Sequence, residues 1–322
     1  MDALARFLAV ATALKNTKQR WFEDWQLLRH AAVPLASLEG DPAELASRLR
    51  ATMDAFEKRT RWWQDTHGSL RIPLAAQVLQ SGGTVDEHLA ELARAATLFR
   101  AHKLRRGGSG EVLAIQILAE QAPDRRVTES QVRRLRAIFD WIKRDHPWTV
   151  SAADYPTIAL LAATAVEPEQ IGMRVEGIVE DLRERGFKQR AAALTTSHVL
   201  FFHPLKDRSA CERFEALWHE FRARGLRMQS GDYDELALLA FAPGTASSVA
   251  SRVLEHRVSI DALRPKPDRN TSFSLACGTA FLELVGGDRA LRRLSRIQAA
   301  VQIQSILRAR QAAATASAAG AA

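Results

Sequence analysis

Apolar residues along this chain recur at helical spacing, and no segment alternates apolar and polar residues over a strand's length. In the segment 175–182 they fall at Val175, Ile178, Val179 and Leu182, which is the i, i+3, i+4, i+7 face of an amphipathic helix. Phe214, Leu217, Trp218 and Phe221 follow the same spacing. Between such segments lie shorter stretches that are apolar almost all round: 73–79, 112–118, 158–163, 199–202, 236–241 and 275–284. A helix apolar on every side needs covering on several sides. The pattern therefore predicts short inner helices, each followed by a longer outer helix whose charges face water. The fold class is all-α.

These segments recur with a register. Apolar-basic tetrads begin at Phe99, Ile142, Leu182 and Phe221, with weaker copies at Leu263 and Leu307, at intervals of 43, 40, 39, 42 and 44 residues. Asp154-Tyr155 and the helix after it reappear 78 residues later as Asp232-Tyr233. A serine precedes each copy, Ser151 and Ser230, and reads as a helix cap. Arg185-Gly186 and Arg224-Gly225 read as helix ends, a cation favoured by the dipole and then a left-handed glycine. About forty residues is the length of one helical hairpin. The expectation is a degenerate hairpin repeat over residues 67–310, in an open α-solenoid-like stack or a closed, compact array. Before it, residues 1–66 read as an N-terminal helical segment carrying Trp21, Phe22, Trp25, Leu28, Trp62 and Trp63, broken at 34–42. After it, the Ala-rich tail 311–322 is expected to be disordered. Loops are expected at Gly82-Gly83, at 107–110 and at 265–267.

Composition narrows the picture modestly. With 47% hydrophobic and 25% charged residues the chain can fill a core and is not a disordered segment. Cys211 and Cys277 are too few for a disulfide framework and sit in apolar stretches, where cysteine behaves as a small hydrophobe. The apolar run 4–14 is interrupted by Arg6 and is too short to span a bilayer. Asp2 before it, and lysines instead of a small-residue cleavage site after it, argue against a secretion signal. A cytoplasmic protein with no membrane partner is expected. The net charge of +8 is spread along the chain, apart from the six arginines after Gly287.

The motif Ser151-x-x-Asp154-Tyr155-Pro156 leads into the Ala-Leu-Leu-Ala helix 159–162, and the next helix ends in Leu182-Arg183-Glu184-Arg185-Gly186-Phe187-Lys188. This stretch, Ser151 to Lys188, resembles a bacterial family known as domain of unknown function 4003. The order of helices is similar over most of the chain. The resemblance implies a bacterial, helical, cytoplasmic protein. It brings no activity and no functional residues.

The candidate chemistry is sparse. His198 and His203 flank an apolar-aromatic turn, and His219-Glu220 follows one helix later, so three imidazoles on adjacent helices are candidates for metal ligands or an acid-base set. The zinc-protease spacing fails at Ala223, and structural roles are preferred, with His203 capping a helix end. Tyr155 and Tyr233 are the only tyrosines, each beside an aspartate. Such pairs can line a cleft, but recurrence in a repeat favours capping by Asp and anchoring by Tyr. Basic clusters at 103–106, 125–126 and 133–136 would track a phosphate backbone if they shared one face. Ile303-Gln304-x-x-x-Arg308 is a partial calmodulin-binding motif and is discounted. No metal site, cofactor or catalytic motif is expected. The first expectation is a non-enzymatic protein that binds a protein or peptide partner. The alternatives are an enzyme around Asp154, Tyr155, His198, His203, His219, Asp232 and Tyr233, or nucleic-acid binding, which is not favoured.

Overall fold

Fourteen α-helices and no strand make up the described part of the computed structural model, residues 2–17, 24–60, 66, 68–204 and 206–285. In chain order they are α1 (Ala3–Asn16), α2 (Trp25–Leu35), α3 (Pro42–Arg59), α4 (Arg71–Ser81), α5 (Val85–Ala101), α6 (Ser109–Gln121) and α7 (Glu129–Asp145). Then follow α8 (Tyr155–Ala162), α9 (Pro168–Glu184), α10 (Arg190–Leu200), α11 (Asp207–Ala223), α12 (Tyr233–Leu239), α13 (Ala246–Asp261) and α14 (Arg269–Val285). Local chemistry starts them where the polar positions predict. Asp2, Asp24 and Asp41 accept from first-turn amides, and Thr84 and Thr128 form capping boxes with Glu87 and Gln131.

The tetrads are helix ends. At three of them the amide five residues on donates to the tetrad's first carbonyl: Leu104 to Phe99 at 2.9 Å, Phe187 to Leu182 at 3.0 Å and Leu226 to Phe221 at 3.0 Å. Gly186 and Gly225 supply the left-handed residue, as expected, and Lys103 takes the same conformation without being glycine.

Even-numbered helices are buried on nearly every side, and odd-numbered ones bury one face. The even helices pack in the order α6, α8, α10, α12, α14, α2, α4, with Gln77 of α4 hydrogen-bonded to Glu120 of α6 across the last step. The odd helices pack in sequence from α1 to α13. Asp2 at the start of α1 lies close enough to His256 of α13 to act on it electrostatically. The result is two concentric layers, the inner one returning from α14 to α2 and the outer one bridged from α13 to α1 by α14. At the seam α14 packs on both α1 and α2, the Gln26 amide bonds Asp268, and the Arg29 guanidinium bonds the Pro265 carbonyl.

Closure settles the choice that the sequence left open between a stack and a compact array. The N-terminal helices pack with the rest, since α2 touches both α4 and α14 and takes its place in the inner layer. Hairpin phase also differs. Most outer helices lie along the inner helix that follows them, so the packed unit is outer then inner. The expected inner helix 199–202 is only the end of α10. Thr195, Thr196 and Ser197 hid its start, yet Thr195 and Ser197 bond back to carbonyls of their own helix, at 3.0 Å (Ala192) and 2.7 Å (Leu194). That lets hydroxyls be buried in an otherwise apolar layer. Trp21, Phe22, Trp62, Trp63, the tetrad at Leu307, the arginines after Gly287 and the tail lie outside the described residues.

Candidate functional site

The two Asp-Tyr copies occupy equivalent but separate places. Asp154 accepts from the Ser151 amide at 2.8 Å, and Tyr155 is buried edge-on between Phe99 and Phe139, ring centroids 6.1 and 5.2 Å away. Asp232 accepts from the Gln229 amide at 2.7 Å, so Gln229, not Ser230, holds the position of Ser151. Burial raises the Asp232 carboxyl, partly offset by that amide and by Arg269. Tyr233 packs among Phe187, Phe214 and Trp218 with centroids 5.4 to 5.6 Å away.

The histidines divide between the copies. His198 Nδ1 pairs with the Thr157 hydroxyl at 3.0 Å, in the helix that Asp154 and Tyr155 begin. His203 Nε2 lies 3.0 Å from the Ala240 carbonyl at the end of the helix that Tyr233 begins, and Arg213 donates to that same oxygen at 2.7 Å. Burial lowers the His203 pKa, so its ring is neutral and donates this N–H. His219 is exposed on α11, 3.7 Å from Glu215. The three imidazoles thus make separate contacts. Among the described residues no three His, Cys, Asp or Glu side chains group as metal ligands would. Both cysteines are buried, and burial pushes their thiols up, away from the reactive thiolate.

The basic clusters do not share a face. Residues 103–106 follow an outer helix, whereas 125–126 precede the next one at the opposite end of the ring. Arg134 is spent on the carbonyls of Ala162 and Thr164 at 3.0 and 2.8 Å, and Arg136 donates to the Lys103 carbonyl at 2.6 Å.

A different site emerges between α4 and α6. These are the inner neighbours that pack least closely, and the space between them is a cavity of about 570 Å³ walled on a third side by α5. Gln116 of α6 lines it at 2% exposure. One end of its carboxamide lies 2.8 Å from His88 Nε2, and the other end, Oε1, is buried with no partner. His88 begins its contacts in the first turn of α5 and meets Phe56 edge-on at 5.9 Å. Burial, only partly opposed by Glu91, brings the imidazole down to about 4, so at neutral pH it is uncharged and accepts from Gln116. The nearby carboxylates are committed. Glu91 is held by Arg94 at 2.6 and 2.8 Å and by the Val127 amide at 2.8 Å, and Glu87 closes the Thr84 capping box. Val78, Leu92 and Ile115 give it apolar wall patches, and the charged side chains of Arg94, Glu120, Asp124, Arg125 and Arg126 line it as well. Such a site presents the Gln116 carboxamide and the uncharged His88 ring at fixed points beside apolar wall patches.

One signal pointed here and was missed. Gln116 is the single polar residue in the apolar stretch 112–118, and a buried amide in an inner helix has to find partners. His88, 28 residues earlier, looked like an ordinary polar position of an amphipathic helix.

A family model described as "Protein of unknown function (DUF4003)" matches residues 111–312, well over half of the chain. Of the cavity, the α6 wall falls within that stretch and the α5 wall precedes it. No curated protein and no solved structure matches the chain.

Proposed function

The chain belongs to the DUF4003 family, and we propose that it is a non-enzymatic binding protein whose cavity between α4, α5 and α6 takes a small, uncharged polar organic molecule. The observation that carries this reading is the Gln116 carboxamide, nearly fully buried in the cavity wall with one end unpaired. A buried amide left half satisfied costs roughly 1–3 kcal/mol, a cost that a ligand presenting a hydrogen-bond donor removes. The cavity volume suits a drug-sized ligand, and its apolar wall patches supply most of the affinity while Gln116 and His88 orient the guest. A neutral His88 favours binding over acid-base catalysis. Closure of the ring also removes the long concave groove on which an open solenoid grips a peptide, which favours a small molecule over a peptide as the guest of this cavity.

Ligand-observed NMR against a panel of lactams, primary carboxamides and nucleobases tests the proposal. At least one class is expected to bind saturably to the wild type and to lose about tenfold or more in affinity in Gln116→Leu, the size of one hydrogen bond to a buried group. Unliganded Gln116→Leu is expected to melt close to the wild type, because leucine removes the unpaired oxygen but also takes the hydrogen-bond donor from His88. If no class binds, or if binders ignore Gln116→Leu, the cavity is not the site.

A further inference from the structure

The ring has two chemically different ends. All outer helices run from one end to the other, so every loop that follows an outer helix gathers at one end. Among the described residues this end carries exposed cations in four loops: Arg105 and Arg106, then, past the cation-free loop 146–154, Lys188 and Arg190, then Arg227, then Lys266. Exposed Asp145, Glu184 and Asp268 are the acids among them. The opposite end holds the first turns of the outer helices, which carry Glu44, Asp86, Glu87, Glu129, Glu169 and Asp207 and so offset the exposed Arg125, Arg126, Lys206 and Arg208 there.

Part of this segregation follows from helix dipoles, which favour acids at N-termini and bases at C-termini. The dipole does not explain all of it. Three inner helices begin on arginine at this same end, Arg71 of α4, Arg190 of α10 and Arg269 of α14, where the dipole disfavours a cation. Arg105, Arg106, Lys188 and Lys266 lie in loops beyond any helix turn. The loops also touch in sequence. The Tyr155 hydroxyl reaches the Arg105 carbonyl at 3.4 Å, Phe187 packs on Tyr233, and Arg269 bonds the Arg227 carbonyl.

Within this arc, in the loop between the 103–106 and 185–190 loops, stands Trp148. It is 98% exposed, the most exposed of the large apolar side chains among the described residues. The loop beneath it is anchored, since His146 is buried and bonds Glu176 of α9 at 2.6 Å. A free indole on a fixed loop, with cation-bearing loops before and after its own along the ring, offers a base a face to stack on while cations hold the phosphates. An anionic membrane would want several apolar anchors together, and the loops of this end offer one.

We infer that the basic end of the ring binds single-stranded nucleic acid, with Trp148 as a stacking platform and the Arg105–Arg106 and Lys188–Arg190 loops as phosphate contacts. This is independent of the cavity, which opens beside Arg125 at the other end.

Fluorescence anisotropy of the full chain with labelled oligo-dT and oligo-rU tests it, with anionic phosphatidylglycerol vesicles as a parallel probe. Wild-type protein is expected to bind the oligonucleotides with an affinity that falls linearly in log salt. Trp148→Ala is expected to weaken binding about tenfold, and the pair Lys188→Glu and Arg190→Glu to weaken it at least as much and flatten the salt slope. All three positions are exposed, so unchanged melting separates lost binding from lost fold. Reversal of Arg125 and Arg126 at the opposite end is expected to leave binding intact. Failure to bind, binding to vesicles alone, or equal losses from reversals at the two ends would each overturn the inference.

Discussion

Glu235→Gln is expected to leave the protein about as stable as wild type near pH 4.5 and to make it more stable by on the order of 5 kcal/mol above pH 8. Glu235 is buried in α12, next to Ser274 of α14, and its Oε2 has no partner. Burial first, then the charges of Asp234 and Asp232, push its carboxyl up from 4.5 to about 8, while the Ser274 hydroxyl pulls the other way. The folded chain therefore keeps a proton that the unfolded chain releases. Below pH 4.5 both states are protonated and nothing is lost. Between 4.5 and 8 each pH unit upward costs the native state about 1.4 kcal/mol, and above 8 the loss is complete. Glutamine has the same shape and never ionises, so it abolishes this slope. Urea denaturation at several pH values from 5 to 9 reads the difference directly. Asp232, which is also raised, contributes a slope of the same sign to both proteins. Parallel curves for wild type and variant would show that Glu235 is not the titrating group.

Two glycines, each inside a helix, are expected to respond to alanine with opposite signs. Gly177 sits mid-way along α9 on its exposed side, and a Cβ there meets nothing within 4 Å. Gly177→Ala is expected to stabilise by roughly 1 kcal/mol, the difference in helix propensity. Gly110 is the second residue of α6, where the same propensity term applies more weakly. Its Cβ would overlap the Ala152 carbonyl oxygen and come within 3.2 Å of Ala153 Cα. That backbone is held by the reciprocal Ser151–Asp154 cap and cannot swing aside as a side chain would. Overpacking against backbone outweighs propensity, and Gly110→Ala is expected to lose about 2–3 kcal/mol. Thermal melts of the pair decide it, a rise of a few degrees for one and a fall of several for the other. The same close approach explains the glycine-rich stretch 107–110. Gly107 and Gly110 are packing positions against the next turn, and Gly108 takes a positive φ of 52° just before α6. It is a tight joint, not a slack loop.

Reading the sequence recovered the helices and their layers because a helix's buried face is set by residues three or four apart. Val175, Ile178, Val179 and Leu182 are buried for the reason their spacing states. The tetrads marked true helix ends for a similar reason, since a Schellman turn is also local. Lys103 carries no such local mark, because nothing in its identity announces a left-handed residue. The candidate chemistry fared differently. His198 and His203 stand out as polar residues in apolar surroundings, and the bonds that satisfy them run to Thr157 and Ala240, 41 and 37 residues away. Gln116 carried the same kind of signal, and its meaning turned on whether a partner stood opposite both ends of the amide.

By itself, then, the sequence determined that this chain is helical, where its helices end, and which of them lie inside. Each of those properties is a free energy of near neighbours. The tertiary structure alone decided that the layers close into a ring, that α4 and α6 stand apart around a cavity, that Gln116 is left half paired, and that the loop cations gather at one end. Closure depends on small rotations at each hairpin that add up around the ring. Unpaired atoms and close backbone contacts depend on pairs of residues that meet only once that sum is complete.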